Sequence, residues 1–278
     1  MNKSLKKIGS ILLIIGTCSI FTCSLPIGAR IASAIAAAVF KVKLPPPPPN
    51  RGIAGNRVGG ASRVSSRDPI DESPNSDRRL TALVPEYKSA AEAGKSKPEL
   101  TKVWGLTANE HPTLWFYIPY AQNSISRIDF ILSDEDNPTN KTVYRNAIQS
   151  FTQPGIINFS LPQTSKPLAI DKLYQWELKL TMKRQLDREI SVKGWIQRAD
   201  LNSDLSERIK QSTPELQAAL YAENGLWYDA LSTFAELRRD VPAERLRQRP
   251  QDITIIQDWR NILKSVDLGK LADRPFVM

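Results

Sequence analysis

Alternating apolar and polar residues predict six short strands in the middle of the chain. In the clearest of them, at residues 173–182, every second residue is large and apolar and the residues between are polar, as in a strand with one buried and one solvated face. The six predicted strands span residues 113–118, 126–132, 141–148, 155–161, 173–182 and 189–197. Short strands joined by turns, with no helices between them, predict an antiparallel β-sandwich.

The strand at residues 113–118 has the strongest signal. Its consecutive aromatic and β-branched residues follow Pro112 and precede Pro119, a pattern typical of a short strand buried on both faces. Trp115, Trp176 and Trp195 also fall within predicted strands, where a sandwich core needs large side chains. We therefore expect these three tryptophans in the core.

The last 78 residues have the periodicity of helices. A polar connection begins at Asp200, and Thr213-Pro214 is a typical helix start, with a capping hydroxyl followed by proline. The segment 225–242 is similar to the second half of a tetratricopeptide repeat, and a third helix is predicted at about 252–265. Because the repeat occurs about one and a half times, it should pack on the sandwich or on a partner.

The N-terminus reads as an export signal. A basic start, an apolar middle and the small-residue run at 32–38 describe a secretory signal peptide over residues 1–38. The alternative is an uncleaved membrane anchor, because the apolar stretch approaches the ~20 residues of a spanning helix. Either form predicts an extracytoplasmic location: periplasmic, secreted or attached to the cell envelope.

Residues 39–80 are predicted to be a disordered basic linker. Five consecutive prolines are followed by a stretch rich in Gly, Asn and Arg, which buries too little apolar surface to offset its ordering entropy. The linker is either a plain spacer or an electrostatic tether to acidic polymer or lipid headgroups. The predicted organisation is a signal peptide at 1–38, the linker at 39–80, the β-sandwich at 81–200 and the helical module at 201–278.

Cysteine content and charge exclude several classes of function. Cys18 and Cys23 both lie in the leader, so disulfides, thiolate metal sites and a cysteine nucleophile are excluded for the mature chain. The net charge is +9, but twelve of the 38 basic and four of the 29 acidic residues precede residue 81. The remaining 26 basic and 25 acidic residues make nucleic-acid binding a poor interpretation.

No catalytic, cofactor or metal motif stands out. His111 is the single histidine, no Gly-x-Ser-x-Gly elbow accompanies it, and its place before a strand favours a hydrogen-bonded structural role. A paired-carboxylate hydrolase remains open, although no pair is distinguished. The loop 133–140 holds three acidic residues at Asp134–Asp136, which indicates either an acidic hairpin tip or a weak calcium site.

Five motifs occur in an order that resembles a known family. They are Pro-Pro-Asn-Arg-Gly-x-x-Gly-x-Arg-x-Gly-Gly at 48–60, Leu-Thr-Ala-Leu-Val-Pro at 80–85, His-Pro-Thr-Leu-Trp-Phe-Tyr-Ile-Pro at 111–119, Gly-Trp-Ile-Gln-Arg at 194–198 and Leu-Tyr-Ala-Glu-Asn-Gly-Leu-Trp-Tyr-Asp-Ala at 220–230. From residue 48 to about 270 the chain resembles the cyanobacterial domain-of-unknown-function family 928. The resemblance implies an exported protein with a β-rich domain and a helical end, with no established activity.

Together these features predict an α+β fold and an exported, non-enzymatic envelope protein that binds or assembles through its C-terminal helices. The candidate contact residues are Trp227, Tyr228 and Trp259. The alternative is a glycan-binding sandwich whose platform is Trp104 and Tyr120, which are expected at strand ends, and the third reading is a wall or polysaccharide hydrolase. The expected partner is an unidentified envelope protein or polysaccharide, without cofactor or nucleic acid, and with membrane contact only through the leader or linker.

Overall fold

The computed structural model describes the part of the chain that follows the predicted leader. The described residues are 40–48, 54–61, 79–88, 101–134, 136, 141–147, 151, 153–183, 189–241 and 249–277. They belong to a unit that spans residues 39–278, and the predicted signal peptide lies outside them. Within this part of the chain, no helix is both long and apolar enough to cross a membrane.

Ten strands and four helices are described. The strands are β1 (Asn56–Ala61), β2 (Thr81–Ala82), β3 (Glu86–Lys88), β4 (Thr101–Thr107), β5 (Thr113–Ile118), β6 (Ile125–Ser133), β7 (Thr142–Ala147), β8 (Gly155–Ser160), β9 (Leu173–Met182) and β10 (Glu189–Arg198). The helices are α1 (Ser203–Lys210), α2 (Pro214–Glu223), α3 (Trp227–Arg239) and α4 (Pro250–Lys264). The six strands predicted from sequence are all present, which confirms a β-rich middle followed by helices.

The strands form one sheet in the order β7-β6-β9-β10-β1-β2-β5-β8. Its pairs are antiparallel except at one place, where β4 runs parallel to the second half of β10. The sheet branches there, because β1 pairs with the first half of β10 and β3 adds to β4. The predominantly antiparallel character is therefore confirmed.

The sheet curls into a half-barrel, in place of the two separate sheets of the predicted sandwich. Phe130 on β6 and Phe159 on β8 lie near opposite ends of the strand order, yet their rings stack with centroids 3.9 Å apart. Phe116 on β5 also meets Trp176 on β9 edge to face. The two ends of the sheet face each other and enclose a core like that of a sandwich. Strands β1 and β2 connect these two ends by pairing with β10 and β5.

The predicted linker is not disordered over residues 54–61, because β1 lies there between β10 and β2. A Cβ on Gly59 would lie 2.8 Å from Ile190 Cγ2 and 3.0 Å from Leu80 Cβ, so glycine allows the neighbouring strands to approach. Arg57 is buried and donates to the Val266 carbonyl oxygen at 2.7 Å. Its other terminal nitrogen lies 3.2 Å from Glu86 Oε2. The glycines reflect tight packing here, where their composition suggested a flexible coil.

Residues 40–48, also predicted as linker, form an extended segment that packs on the helices and on β3. Phe40 stacks on Phe234 of α3 with ring centroids 4.7 Å apart. The Lys43 amide donates to the Ala222 carbonyl oxygen at 2.9 Å, and the Tyr87 hydroxyl donates to the Pro45 carbonyl oxygen at 3.0 Å. These contacts make the segment part of the folded unit.

Three further elements were missed. Strands β3 (Glu86–Lys88) and β4 (Thr101–Thr107) both lie before the first of the six predicted strands. Helix α1 replaces the predicted polar connection, and the Asn202 side chain caps it by accepting from the Leu205 amide at 2.8 Å. The predicted start of α2 is confirmed, with Thr213 at its N-cap and Pro214 in its first turn.

The helices and the sheet share one apolar core. Side chains from the strands, from α2, α3 and α4 and from the C-terminal tail all belong to the same buried cluster. The tail also completes the edge of β8: the Ile156 amide donates to the Pro275 carbonyl oxygen at 2.7 Å, and the Val277 amide donates to the Ile156 carbonyl oxygen at 2.9 Å. The helical module therefore closes the sheet.

Candidate binding cleft

The first turn of helix α3 packs against the sheet. The Trp227 indole nitrogen donates to the Leu83 carbonyl oxygen at 2.9 Å. The Tyr228 hydroxyl accepts from the indole nitrogen of Trp176 at 2.8 Å and donates to the Trp195 carbonyl oxygen at 3.1 Å. Because all these groups are buried, the hydrogen bonds fix where α3 sits on the sheet.

The three candidate partner-contact residues all lie in the chain's own interior. Trp227, Tyr228 and Trp259 are 2%, 1% and 0% exposed. The Trp259 indole nitrogen donates to the Ala272 carbonyl oxygen at 3.0 Å. Their helical spacing reflects packing of the helices on the sheet, and these side chains do not form an outer surface.

The two candidate glycan-platform residues are buried as well. Trp104 is 3% exposed and packs with Leu173 and Trp195 in a small apolar cluster of its own. Tyr120 is 8% exposed and belongs to the main core. Trp104 is in the middle of β4 and not at a strand end, so the sequence argument for its exposure does not apply. Trp115, Trp176 and Trp195 are buried as predicted.

His111 holds a loop in place. Its Nε2 lies 3.2 Å from the Ser165 carbonyl oxygen, and since a carbonyl only accepts, Nε2 carries the proton. Its backbone amide donates to Asn109 Oδ1 at 2.9 Å. Arg198 holds the same loop by donating to the Leu168 carbonyl oxygen at 2.9 Å. These contacts support the structural role predicted for the histidine.

In the acidic loop after β6, Asp134 has a cationic partner. Its Oδ2 lies 2.5 Å from Lys172 Nζ, and its Oδ1 accepts from the Asp136 amide at 3.1 Å. Glu135 is outside the described residues. Among the residues that the structure describes, no group of three or more His, Cys, Asp or Glu side chains could hold a metal ion.

A small open cleft lies between the helices α2 and α3 and the β4–β5 connection. Its volume is about 160 Å³. Hydroxyl, amide and carboxyl side chains dominate its lining. The lining residues are Thr107, Asn109, Thr113, Tyr221, Tyr228, Asp229, Ser232, Thr233 and Glu236. This is the candidate functional site, and we refer to it as the α3 cleft.

Asp229 joins the two walls of the α3 cleft. Its Oδ2 accepts from the Ala108 amide at 2.8 Å, and its Oδ1 accepts from the Thr107 hydroxyl at 3.2 Å. Burial raises the pKa of this carboxyl to about 6, although its hydrogen bonds oppose the shift. No cationic side chain contributes to that balance. The carboxylate is therefore held in place by neutral donors alone.

Two other titratable groups line the α3 cleft. Burial raises the pKa of Glu236, while Arg239 lowers it and Asp240 raises it further. Burial also raises the pKa of the Tyr221 hydroxyl, and the negative charge of Asp229 adds to that shift. The cleft is consequently an acidic, partly desolvated environment at neutral pH.

Most of the hydroxyls in the α3 cleft already bond within the chain. The Ser232 hydroxyl accepts from the Trp115 indole nitrogen at 3.0 Å and donates to the Thr113 carbonyl oxygen at 3.3 Å. Thr233 donates to the Asp229 carbonyl oxygen at 2.9 Å. Within the described part of the chain, the Glu236 carboxylate and the Tyr221 hydroxyl have no hydrogen-bond partner.

A sequence signal for this site was present and overlooked. Asp229, Ser232, Thr233 and Glu236 occur at positions i, i+3, i+4 and i+7 of α3, which places them on one face of the helix. The prediction of a contact face used the apolar positions beside them, which indicate helix packing. The opposite wall is distant from α3 in sequence. Thr107 ends β4 and Asn109 follows it, and β4 was not predicted.

The fold and the cleft define an α+β domain in which a curled antiparallel sheet is closed by C-terminal helices. The chain belongs to the family described as Domain of Unknown Function (DUF928), whose profile matches residues 58–276. The match begins within β1 and ends in the C-terminal tail that pairs with β8, so it covers both the sheet and the helices. No curated protein matches the chain.

Proposed function

We propose that the protein is an exported envelope protein that works by binding or assembly, without catalysis, and that it binds its partner in the α3 cleft. The observation that carries this proposal is the cleft itself. The α2–α3 hairpin and the β4–β5 connection present polar groups to solvent there, while Trp227 and Phe234 of α3 are buried. A recess built by two distant parts of a chain is a common form of binding site.

Two sequence features and one structural feature support the proposed export, cyanobacterial origin and tetratricopeptide-like hairpin. The basic start and apolar stretch within residues 1–38 support export. The motif order supports a cyanobacterial origin. A tetratricopeptide-like hairpin is supported by the turn between α2 and α3, where Gly225 has a φ of +77° and lies against Pro45 of the extended segment.

The arrangement of the carboxylates favours binding over hydrolysis. Asp229 and Glu236 are seven residues apart on α3, so their backbones are ~10 Å apart along the helix axis. In a paired-carboxylate glycosidase both carboxyl groups are available to the reacting bond. Asp229 also binds Ala108 and Thr107, which gives it a role in holding the cleft walls together.

A pull-down from the native envelope fraction tests the proposal. The bait is residues 39–278, in wild-type form and as Glu236→Lys, with Glu223→Lys as the matched control on the exposed side of α2. We expect one protein partner to be retained by the wild type and by Glu223→Lys and to be lost with Glu236→Lys. Truncation at residue 200 is not a usable bait, since it removes helices that share the core.

Three outcomes would overturn the proposal. Equal recovery of partners by all three baits would separate binding from the α3 cleft. Recovery of polysaccharide without protein would support the glycan-binding alternative at a surface other than Trp104 and Tyr120. Hydrolysis of a wall glycan by the purified protein, abolished by Glu236→Gln, would establish an enzyme.

A further inference from the structure

We propose that the α3 cleft receives the basic side chain of a partner protein, an arginine guanidinium or a lysine ammonium, with Glu236 as its hydrogen-bond acceptor and the negative charge of Asp229 adding to the attraction. This inference rests on the proposed function, namely that the cleft is the site of partner binding. It adds the chemistry of the group that enters. The argument depends on which polar groups of the cleft remain available and on the sign of their charge.

The available groups are mainly acceptors. The Glu236 carboxylate has no hydrogen-bond partner among the described residues, and the Asp229 carboxylate receives only neutral donors. No lysine or arginine lines the cleft. A ligand that adds donors and positive charge therefore matches the site, and charge-assisted hydrogen bonds are about twice as strong as neutral ones.

A neutral sugar matches it less well. Recognition of a sugar needs side chains that can both donate and accept. Thr107, Ser232 and Thr233 already bond within the chain, so Tyr221, at the edge of the cleft, offers the hydroxyl that remains available. Tyr228 is similarly engaged with Trp176 and with the Trp195 carbonyl oxygen. The cleft is also small, with a volume of about 160 Å³.

A metal ion is also a poor match. Calcium takes 6–8 oxygen ligands at about 2.3–2.6 Å, whereas the two carboxylates of the cleft lie two helical turns apart on α3. No metal-holding group of acidic, His or Cys side chains is found in the residues that the structure describes. A guanidinium or ammonium group needs only one carboxylate to accept its hydrogen bonds, here Glu236, while the negative charge of Asp229 adds to the attraction.

Electrostatics provide a second, independent reason. Burial raises the pKa of Asp229 to about 6, with no cation among the causes that oppose it. A cation in the cleft stabilises the ionised form and lowers that pKa, so binding releases a proton when it occurs near pH 6. Affinity for the cation should consequently fall as the pH drops through about 6.

Matched small probes test this inference on residues 39–278. The probes are Nα-acetylarginine amide, Nα-acetyllysine amide and Nα-acetylcitrulline amide, the last having the shape of arginine without its charge. Binding is followed by titration calorimetry and by NMR shifts. We expect weak binding of the arginine and lysine probes and at least tenfold weaker binding of citrulline. Glu236→Gln should weaken arginine binding about five- to tenfold, with Glu223→Gln unchanged.

The outcomes separate this inference from the proposed function. Equal binding of arginine and citrulline, or arginine binding that Glu236→Gln leaves unchanged, would overturn the inference. If no probe binds but Glu236→Lys still loses its protein partner in the pull-down, the cleft is a binding site and its ligand is not a basic side chain. If the pull-down shows no dependence on Glu236 either, both proposals fail.

Discussion

The Tyr228 hydroxyl accepts a hydrogen bond from the Trp176 indole nitrogen at 2.8 Å, deep between α3 and β9. The same hydroxyl donates to the Trp195 carbonyl oxygen on β10 at 3.1 Å. One oxygen atom thus joins a helix to two neighbouring strands in a region without access to water. Burial raises the pKa of Tyr228 far above the usual range of tyrosine, so the hydroxyl keeps its proton and donates at every physiological pH.

Replacing Tyr228 with phenylalanine should destabilise the protein strongly. The substitution leaves the Trp176 donor buried without its partner, and an unsatisfied buried group costs about 1–3 kcal/mol. We expect the free energy of unfolding, measured with urea, to fall by about 1–3 kcal/mol. Tyr221→Phe, which removes a hydroxyl at the edge of the cleft, is the matched control and should change it by less than ~0.5 kcal/mol. Equal effects of the two substitutions would contradict the prediction.

Stability should fall between pH 4 and pH 7 because of Asp229. Its pKa in the folded protein is about 6, above the ~3.9 of an unfolded chain, so the folded state binds the proton more tightly. This contribution is fully present below pH ~4 and is lost as the pH rises through about 6. It amounts to at most about 3 kcal/mol for two pKa units.

Denaturation at several pH values checks this expectation. Asp229→Asn should flatten the decline, because asparagine does not titrate. Asp258, whose pKa burial also raises to about 6, contributes in the same direction, and Asp258→Asn should reduce the slope that remains. A wild-type protein more stable at pH 7 than at pH 4.5, with Asp229→Asn changing nothing, would show that Asp229 has an ordinary pKa.

Gly59→Ala should be destabilising although alanine is the smallest change available. The added Cβ would lie 2.8 Å from Ile190 and 3.0 Å from Leu80, and overpacking of this kind costs about 1–3 kcal/mol. Gly269→Ala is the control, because its close neighbour is the exposed side chain of Lys264, which can turn away. Thermal unfolding should separate the two variants. A neutral Gly59→Ala would indicate that β1 is not held in the sheet.

Phe40→Ala should destabilise the folded unit by about 2–4 kcal/mol, although a disordered linker at residues 39–80 would predict no effect. The ring stacks on Phe234, so a double-mutant cycle with Phe234→Leu should show a coupling of about 0.5–1.5 kcal/mol. Lys41→Ala, at an exposed position one residue on, is the control and should be neutral. A coupling near zero would mean that the segment does not pack on α3.

The strands predicted well are those whose burial alternates along their own sequence. In β9 the alternation runs through ten residues, and both ends were predicted correctly. Strand β1 has no such pattern, because Gly59 carries no side chain and the buried apolar contact comes from Ile190 and Leu80. The position of β1 therefore depends on residues of the neighbouring strands, which are distant in sequence. The composition of β1 itself indicates a coil.

The candidate site was likewise predictable from local sequence only in part. One wall of the α3 cleft was visible in the polar spacing along α3, but its pairing with Thr107 depends on where β4 lies, which local sequence did not reveal. Trp227 and Tyr228 were recognised as important contact residues, and their partner proved to be the sheet of the same chain. A helical face that packs internally and one that binds a partner have the same periodicity, so sequence does not separate them.

The C-terminal tail sets the order in which this chain can complete its fold. Pro275 and Val277 supply hydrogen bonds to the edge of β8, and Asn56 pairs with Lys193 across about half of the sequence. The contacts therefore have a high relative contact order. Such topologies fold in milliseconds to seconds, much more slowly than helical bundles. The sheet cannot close before the whole polypeptide is available. The proposed export fits this delay, because a chain that has not yet folded can still be translocated across a membrane.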